Sequence, residues 1–369
     1  MSTADAPSRA GAILTIDLAA VAANYAILRE RLGGVECAAV VKADAYGLGA
    51  AVVAPALARA GARWFFVAHL DEAVALRAVL PAAARIAVLN GLWPGLEATF
   101  REHDLLPVLN DLAQVELWAA RGRAEGAALP AIVQVDTGMS RLGLPPTELA
   151  ALAADPGRTA GLDVRLVMSH LACADEPAHP LNSRQLGRFR AARRAFPEVP
   201  ASLAASSGIF LGRDYHFDLG RPGVALYGVN PTPGDVNPMR PVVRLEARIL
   251  QVRRIDPGDS VGYGAAHRAG RPTKVATVPI GYADGYLRSA SLRGAFLVAG
   301  RPAPVLGRIS MDLITLDVTD VPDAAAQPGA FAVAIGDART IDAVAADAGT
   351  IGYEILTGLG ARYRRVYHG

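Results

Sequence analysis

The feature that most constrains the fold is an alternation of short apolar runs with longer amphipathic stretches through the first two-thirds of the chain. Short apolar runs bounded by turn residues are typical of buried strands, and the alanine- and leucine-rich stretches between most of them are typical of helices. A strand followed by a helix, repeated eight times, predicts an α/β fold with a parallel sheet closed into a (β/α)8 TIM-like barrel. The predicted strands are Glu36–Val41, Trp64–Val67, Arg85–Leu89, Leu105–Leu109, Ala131–Asp136, Asp163–Ser169, Ala201–Ala205 and Tyr215–Leu219.

Two aspartates predict where helices begin. Asp17 precedes the helical pattern Leu18–Leu32, and Asp111 opens the pattern Asp111–Ala124. An aspartate at this position can accept hydrogen bonds from the first free backbone N–H groups of a helix, so both are predicted N-caps.

The residue pattern of the sequence changes after Gly228. The stretch Asn230–Pro241 is rich in proline and glycine and is typical of a linker. Beyond it, β-type runs separated by turn residues predict a second, mostly β domain. We therefore expect a barrel domain over residues 12–240 and a C-terminal β domain over 241–369; the early run Ile13–Ile16 could join either. The predicted strands of the β domain are Val242–Val252, Thr273–Ile280, Phe296–Val298, Ile314–Val318 and Phe331–Ile335.

Composition excludes several classes of protein. Of the 369 residues, 52% are hydrophobic and 20% charged, which suffices for a large core, and the formal charge of +2 argues against nucleic-acid or polybasic membrane partners. Cys37 and Cys173 lie far apart, so no disulfide framework or cysteine-rich zinc site is expected. The start of the chain has no basic cluster followed by an apolar run, so we expect a soluble cytoplasmic protein.

The first candidate for chemistry is Lys42, in VVKADAYGLG. It follows an apolar strand and precedes a glycine-containing turn, and the carboxyl ends of barrel strands carry the active site in this architecture. Partial desolvation would favour the neutral amine, which is the nucleophile for a Schiff base. From position alone, Lys42 also fits a solvated surface lysine.

Two further candidates follow the fifth and sixth predicted strands. Arg141 presents a planar fork suited to a carboxylate, although a surface ion pair would explain it equally. His170 ends the sixth strand, where a lone histidine is more often a hydrogen-bonded structural residue than a catalyst. No second histidine or carboxylate appears at ligand spacing near His170, so no metal site is predicted.

An anion site is predicted after the seventh and eighth strands. The guanidinium of Arg221, the backbone N–H groups of Gly223 and Val224 and the hydroxyl of Ser206 fall in the loops where barrels recurrently bind phosphate. In the β domain, Tyr263, Tyr282 and Tyr353 stand at glycine-containing turns. Each would be exposed enough to reach a partner, or would belong to an interface or core.

Eight motifs occur in order along the chain: AVVKADAYGLG, QVDTGMSRLG, SHLACADE, FDLGRPGVALYG, VGYGA, GYADGY, GRISMD and TIGYE. With them the chain resembles the alanine racemases, pyridoxal-phosphate (PLP) enzymes with a barrel and a β domain. The resemblance extends from about Leu14 to Arg365. It implies an isomerase that racemises L- and D-alanine and supplies D-alanine for cell-wall peptidoglycan.

The resemblance also implies roles for individual residues. Lys42 looks like the lysine that holds PLP covalently and acts as one catalytic base, and Tyr263 like the second base on the other face of the substrate. Arg221 resembles the arginine that contacts the pyridine nitrogen, and His170 the residue that supports it. The other implied contacts are Tyr46, Ser206, Gly223, Val224 and Tyr353 with the phosphate, Arg141 and the backbone of Met311 with the substrate carboxylate, and Tyr282 lining the substrate access.

Family members are head-to-tail homodimers, which implies that Tyr263 and Met311 act on the partner's PLP. Three alternatives remain open from the sequence. A broad-specificity amino-acid racemase differs only in pocket size, although Tyr282 and Tyr353 suggest a narrow access. A non-enzymatic PLP carrier would lack the β domain, and a barrel-type PLP decarboxylase would be expected to place an acidic residue where this chain has Arg221.

Two positions depart from the family pattern. Gln134 stands where family members often carry a lysine, modified to a carbamate, that helps to hold the carboxylate-binding arginine. Because an amide cannot be carbamylated, we expect weaker dependence on bicarbonate, or a role for chloride. Leu48 replaces a usual histidine at the edge of its motif.

Overall fold

A computed structural model describes residues 10–369, which group into two compact units. The first is continuous, from residue 21 to 240, and the second combines residues 10–20 with 241–369. The start of the chain, where the sequence predicts no export signal, lies outside the described residues up to Arg9. None of the helices between residues 10 and 369 is long and apolar enough to cross a membrane.

The unit 21–240 contains the predicted parallel sheet with its helices. Seven strands pair in chain order, each parallel to the next, and most of their side chains are buried, the main exception being Leu162–Arg165. Continuous burial explains why the strands appear as unbroken apolar runs instead of alternating patterns. The seven strands are Ala39–Val40, Trp64–Val67, Arg85–Val88, Leu105–Leu109, Leu129–Gln134, Leu162–Met168 and Ala201–Ser202.

An eighth strand closes the sheet into a barrel. Leu219–Gly220 pairs in parallel with Glu36–Cys37, which directly precedes the first strand of the seven. On its other side the backbone N–H of Arg221 donates to the carbonyl of Ala204 at 2.9 Å. The predicted (β/α)8 barrel is therefore confirmed.

The last barrel strand is shorter than the sequence predicts. Tyr215 lies in a helical turn, and Phe217 has φ of 51°, which an extended strand does not allow. The predicted strand Tyr215–Leu219 is thus wrong except at its end. The other seven predicted strands are confirmed to within a few residues.

Helices follow most of the strands. Both predicted aspartate caps are confirmed, since Asp17 accepts from the N–H of Ala20 and Asp111 from that of Gln114, each at 2.8 Å. The α-helices that end by residue 240 are Leu18–Leu32, Ala50–Arg59, Leu70–Arg77, Glu97–Glu102, Leu112–Glu125, Pro146–Ala154 and Pro180–Ala192. The helical turn Lys42–Gly47 has left-handed backbone at its four central residues.

The second unit is built on one mostly antiparallel nine-stranded sheet. Its strand Ala12–Asp17 pairs with Val243–Arg248 on one side and with Arg364–His368 on the other, which places the early apolar run in this unit. From edge to edge the strands are Gln251–Ile255, Thr273–Val278, Ile314–Asp317, Arg301–Leu306, Ala295–Val298, Phe331–Ile335, Val243–Arg248, Ala12–Asp17 and Arg364–His368. A short hairpin, Ser260–Val261 with His267–Arg268, and the helices Ile341–Ala348 and Gly352–Thr357 complete it.

The nine-stranded sheet differs from the prediction at three places. The predicted strand Val242–Val252 forms two strands, Val243–Arg248 and Gln251–Ile255. Between them, the N–H of Ile249 donates to the carbonyl of Ala330 and that of Leu250 to the carbonyl of Thr277, so the two halves bond to different neighbouring strands. Arg301–Leu306 contains two prolines, which ordinarily argue against an interior strand, and Arg364–His368 begins with two arginines. Neither of these two was predicted.

Candidate active site

The carboxyl ends of the barrel strands bring together eight of the residues singled out by the sequence. They lie in the loops that follow five of the eight strands, all at the same end of the barrel. This is the end at which barrels carry their active sites. The eight are Lys42, Tyr46, Arg141, His170, Ser206, Arg221, Gly223 and Val224.

Lys42 opens a turn of unusual handedness. The four residues after it, Ala43–Tyr46, have φ between 52° and 56° and ψ between 40° and 50°, which is left-handed helical backbone. None of them is glycine, and each such residue costs roughly 1–2 kcal/mol relative to a right-handed helix. Backbone strain of this kind persists only where surrounding contacts over-determine it.

Several contacts hold this turn. The N–H of Ala43 donates to Oε1 of Glu72 at 2.5 Å, and the carboxylate of Asp44 accepts from the N–H of Ala50 at 2.7 Å. The ring of Tyr46 is buried against that of Tyr227, with centroids 4.9 Å apart. The conformation of the turn is thus tied to side chains outside it.

The environment of Lys42 favours its neutral form. Burial lowers the pKa of the Lys42 ammonium, the positive charge of Arg141 lowers it further, and the carboxylate of Glu72 partly opposes both. A lysine with a lowered pKa is a better nucleophile and base near neutral pH. These surroundings differ from those of a freely solvated surface lysine.

Arg221 lies in the barrel core with 3% of its surface exposed. It donates to the carbonyl of Ser169 at 2.7 Å and to the hydroxyl of Ser202. Burial lowers the pKa of Arg221 to about 10, so the guanidinium remains charged at neutral pH.

His170 is neutral in this setting. Burial, with the positive charges of Arg221, Arg141 and Lys42, lowers the pKa of its imidazole to about 3. Its backbone carbonyl accepts from Nε2 of the buried Gln185 at 2.9 Å. A neutral imidazole has one nitrogen as donor and one as acceptor.

Ser206 and Gly223 form a small polar cradle. Oγ of Ser206 accepts from the N–H of Gly223 at 2.9 Å and from that of Ala225 at 3.3 Å. A Cβ on Gly223 would lie 2.3 Å from the hydroxyl of Tyr46, so only glycine fits there. Because these N–H groups hold the oxygen of Ser206, its O–H can donate to an anion such as a phosphate.

The loop that carries Arg141 is folded around Asp136. One carboxylate oxygen of Asp136 accepts from three successive backbone N–H groups, those of Gly138, Met139 and Ser140, at 2.9–3.1 Å. Arg141 itself is exposed, and Gln134 is buried at the end of its strand.

The remaining predicted residues lie in the second unit and are exposed. Tyr263 exposes 70% of its surface and Met311 53%, and Tyr282 and Tyr353 are also exposed. Tyr282 and Met311 lie on adjacent loops, because the N–H of Tyr282 donates to the carbonyl of Ser310 and that of Ala283 to the carbonyl of Met311.

An ion-pair network fastens these two loops. Arg362 donates through two nitrogens to the carboxylate of the buried Asp284, at 2.6 and 2.7 Å, and through its third to Asp312 at 2.7 Å. Asp284 also accepts from the N–H of Gly281 at 2.9 Å. The network thereby joins the loop of Tyr282 to that of Met311.

Sequence reasoning missed the positions that support the site. Glu72 stands at an ordinary helix start, and Gln185 in the middle of a helix, so neither shows a signal in sequence. Asp136 lies inside a quoted motif, but nothing in its spacing indicates that it gathers three backbone donors.

Comparison with known proteins decides the family. Residues 16–231 match the family model for the alanine racemase N-terminal domain, and residues 242–367 match that for the C-terminal domain. The chain belongs to the alanine racemase family. It is 55% identical over 362 residues to an alanine racemase of Rhodospirillum rubrum, covering 98% of this chain and 97% of that one. It is 52% identical over 360 residues to a catabolic alanine racemase of Mesorhizobium japonicum, covering 98% and 94%.

Solved alanine racemases have the same fold. The crystal structure of alanine racemase from Bartonella henselae, with covalently bound pyridoxal phosphate, has a TM-score of 0.94 and 44% identity, covering 98% of this chain and all of that one. The biosynthetic alanine racemase from Pseudomonas aeruginosa has a TM-score of 0.89 and 36% identity, covering 98% and 100%.

Proposed function

We propose that this protein is an alanine racemase that interconverts L- and D-alanine with PLP and supplies D-alanine for peptidoglycan. The observation that carries the proposal is the convergence of Lys42, Arg221 and the Ser206–Gly223 cradle at one end of the barrel. Membership of the family and the bound cofactor of the Bartonella henselae relative support it.

PLP fits the groups present at this end of the barrel. The amine of Lys42 suits its aldehyde, the guanidinium of Arg221 suits its pyridine nitrogen, and the cradle suits its phosphate, with Tyr46 and Val224 alongside. When bound, PLP spreads the charge left by removal of the Cα proton into its ring.

Arg221 bears on which reaction follows. A buried guanidinium is always a donor, so it favours a pyridine nitrogen without a proton. An acidic residue there would have the opposite effect and would strengthen electron withdrawal by the ring. The position of Arg221 thus favours racemisation over side reactions and over the decarboxylase alternative, and we assign its support to the neutral His170.

Racemisation requires a proton to leave one face of Cα and return on the other. We assign one face to the amine of Lys42 and the other to the phenol of Tyr263. Arg141 and the backbone of Met311 would hold the substrate carboxylate, and Tyr282 and Tyr353 would narrow the access toward small substrates.

We further propose a head-to-tail homodimer with shared sites. Tyr263 and Met311 are exposed in the single chain, as is the apolar residue Leu313, which lines the same pocket as Tyr263. Exposed aromatic and apolar groups in this number are typical of an interaction surface. A second copy that covers them would bring Tyr263 and Met311 to the barrel end of its partner.

The test is the formation of D-amino acids from a panel of L-amino acids, with and without added PLP. Racemisation largely confined to alanine is expected, whereas turnover of larger substrates would favour the broad-specificity racemase. PLP binding without racemisation of any substrate would favour the carrier. Lys42→Ala should abolish covalent PLP absorption and activity together.

The cellular role is tested separately. Deletion of the gene should make growth depend on added D-alanine if the enzyme supplies peptidoglycan. Growth without D-alanine would instead favour the catabolic role that the name of the Mesorhizobium japonicum relative indicates.

A further inference from the structure

Glu72 gathers three backbone donors at the point where two barrel loops meet. Its Oε1 accepts from the N–H of Ala43 at 2.5 Å, and its Oε2 from those of Ala68 and His69 at 2.9 and 3.0 Å. Ala43 belongs to the loop after the first strand of the sheet, and Ala68 and His69 to the loop after the next. One carboxylate therefore fixes the two loops relative to each other.

The bond to Ala43 lies where the backbone is most constrained. Ala43 directly follows Lys42 and is the first of the four left-handed residues. The N–H of Ala43 belongs to the peptide that joins Lys42 to the first left-handed residue, so its bond to Glu72 fixes the orientation of the peptide from which the left-handed turn starts. The direction in which the chain leaves Lys42 is thus coupled to a side chain 30 residues away.

The carboxylate also acts on the charge of the Lys42 amine. The positive charge of Arg141 disfavours the ammonium form of Lys42, and the carboxylate of Glu72 favours it. A residue that fixes both the geometry and the charge balance of the amine affects its chemistry without touching the substrate.

We propose that Glu72 is a positioning residue that locks the left-handed turn and so aims the Lys42 amine. The inference rests on the proposed role of Lys42. Both oxygens are needed, because one holds the turn and the other holds the neighbouring loop.

Three variants of the holoenzyme test the inference. Glu72→Ala removes all three acceptor contacts. Glu72→Gln keeps the size of the side chain but replaces one oxygen with a donor, so one of the two loops loses its partner. Asp71→Asn is the matched control, because Asp71 is an exposed acid beside Glu72 in the first turn of the same helix.

The first measurement is backbone hydrogen exchange over residues 43–46, which does not depend on activity. Faster exchange is expected in Glu72→Ala and, to a smaller extent, in Glu72→Gln, with Asp71→Asn equal to wild type. Unchanged exchange in both Glu72 variants would overturn the proposal. If Glu72→Ala fails to fold, Glu72→Gln carries the test, with its melting curve as a check on folding.

The second measurement separates kcat from KM. We expect kcat for alanine to fall about 10²-fold in Glu72→Ala, since misplacement of a reacting group by about 1 Å has an effect of this size. KM should change less than about threefold, because the proposed contacts of Arg141 with the substrate carboxylate would be intact. A lower melting temperature with unchanged kcat would reduce Glu72 to a structural role. Wild-type enzyme without racemase activity would instead refute the proposed function, while the exchange result would still decide the role of Glu72.

Discussion

Gly223 is the residue at which the phosphate cradle is easiest to block. A Cβ there would lie 2.3 Å from the Tyr46 hydroxyl, and Tyr46 cannot retreat because its ring is buried against Tyr227. We expect Gly223→Ala to weaken PLP binding at least about tenfold, equivalent to about 1.4 kcal/mol, in a titration of the cofactor-free protein.

Gly187→Ala is the matched control for that substitution. Gly187 lies within the helix Pro180–Ala192, and nothing stands within 4 Å of its added Cβ. Alanine is favoured over glycine in a helix by about 1 kcal/mol, so this variant should be slightly more stable and bind PLP normally. Equal PLP affinity in both variants would argue against the cradle.

His170 should not titrate near neutral pH. Its pKa in the folded protein is about 3, against 6.5 for an ordinary histidine. Between about pH 6.5 and 3, His170 is therefore protonated in the unfolded chain but not in the folded chain. Because the unfolded state binds this extra proton, His170 destabilises the fold increasingly as the pH falls through this range. Histidine NMR between pH 5 and 8 is the measurement. A resonance with its midpoint near 6.5 that disappears in His170→Gln would contradict the assignment.

The amide of Gln134 leads us to predict how activity depends on bicarbonate. A buried amide at this position cannot react with carbon dioxide, so racemase activity of the wild-type protein should not follow bicarbonate concentration. Gln134→Lys should acquire such dependence if the introduced amine lies near Arg141. Activity of the wild type that rises with bicarbonate would refute the prediction, and a chloride titration tests the alternative anion.

The sequence predicted chemistry at positions where residue type and strand end coincide. Lys42 and Arg221 could be singled out because each follows an apolar strand in a barrel. Glu72 could not, because its importance depends on a hydrogen bond to a residue 29 positions away. Contacts of this kind follow from the fold and leave no local pattern.

At the scale of elements, the two loops that carry Tyr282 and Met311 depend on one arginine. Arg362→Met would leave the carboxylate of the buried Asp284 without its two strongest donors. Because an unpaired buried charge is costly, we expect the melting temperature to fall by about 5 °C. KM for alanine should rise as well, since the backbone of Met311 is proposed to contact the substrate.

A surface ion pair of the same unit is the control for Arg362→Met. Arg254 pairs with Asp323 at 3.4 Å, and both side chains are largely exposed. Exposed pairs contribute little to stability, so Arg254→Met should melt close to wild type. A similar melting temperature and KM in the two variants would remove the argument that the network supports the loops.

Strands could be predicted from the sequence where every side chain is buried. The predictions failed where the local backbone conformation departs from what the residue pattern indicates. The barrel strands were recognisable as short apolar runs without the spacing of apolar residues that a helix would show. The strand predicted at Tyr215–Leu219 failed because of the positive φ at Phe217, and Arg301–Leu306 was hidden by its prolines. The left-handed turn after Lys42 had no signal either, since Asp44 alone of its four residues is of a type that visits that region, and then as a single residue.

At the scale of the whole molecule, the proposed active site requires two chains. The barrel unit holds Lys42, Arg221 and the cradle, and the β unit presents Tyr263 and Met311 on an exposed surface. The motifs in the sequence indicate which residues the proposed site needs, but they cannot indicate which copy of the chain supplies each residue. Complementation between inactive variants distinguishes the two arrangements.

Lys42→Ala and Tyr263→Phe should each be inactive alone. In a head-to-tail heterodimer of the two, one site combines both substitutions, and the other combines an intact Lys42 with an intact Tyr263. A purified heterodimer should therefore recover about half of the wild-type activity, because closed two-fold symmetry gives two sites. If each site were built from one chain, every site in the heterodimer would lack one base. Activity no higher than that of the parent homodimers, from a heterodimer shown to be intact, would then exclude shared sites.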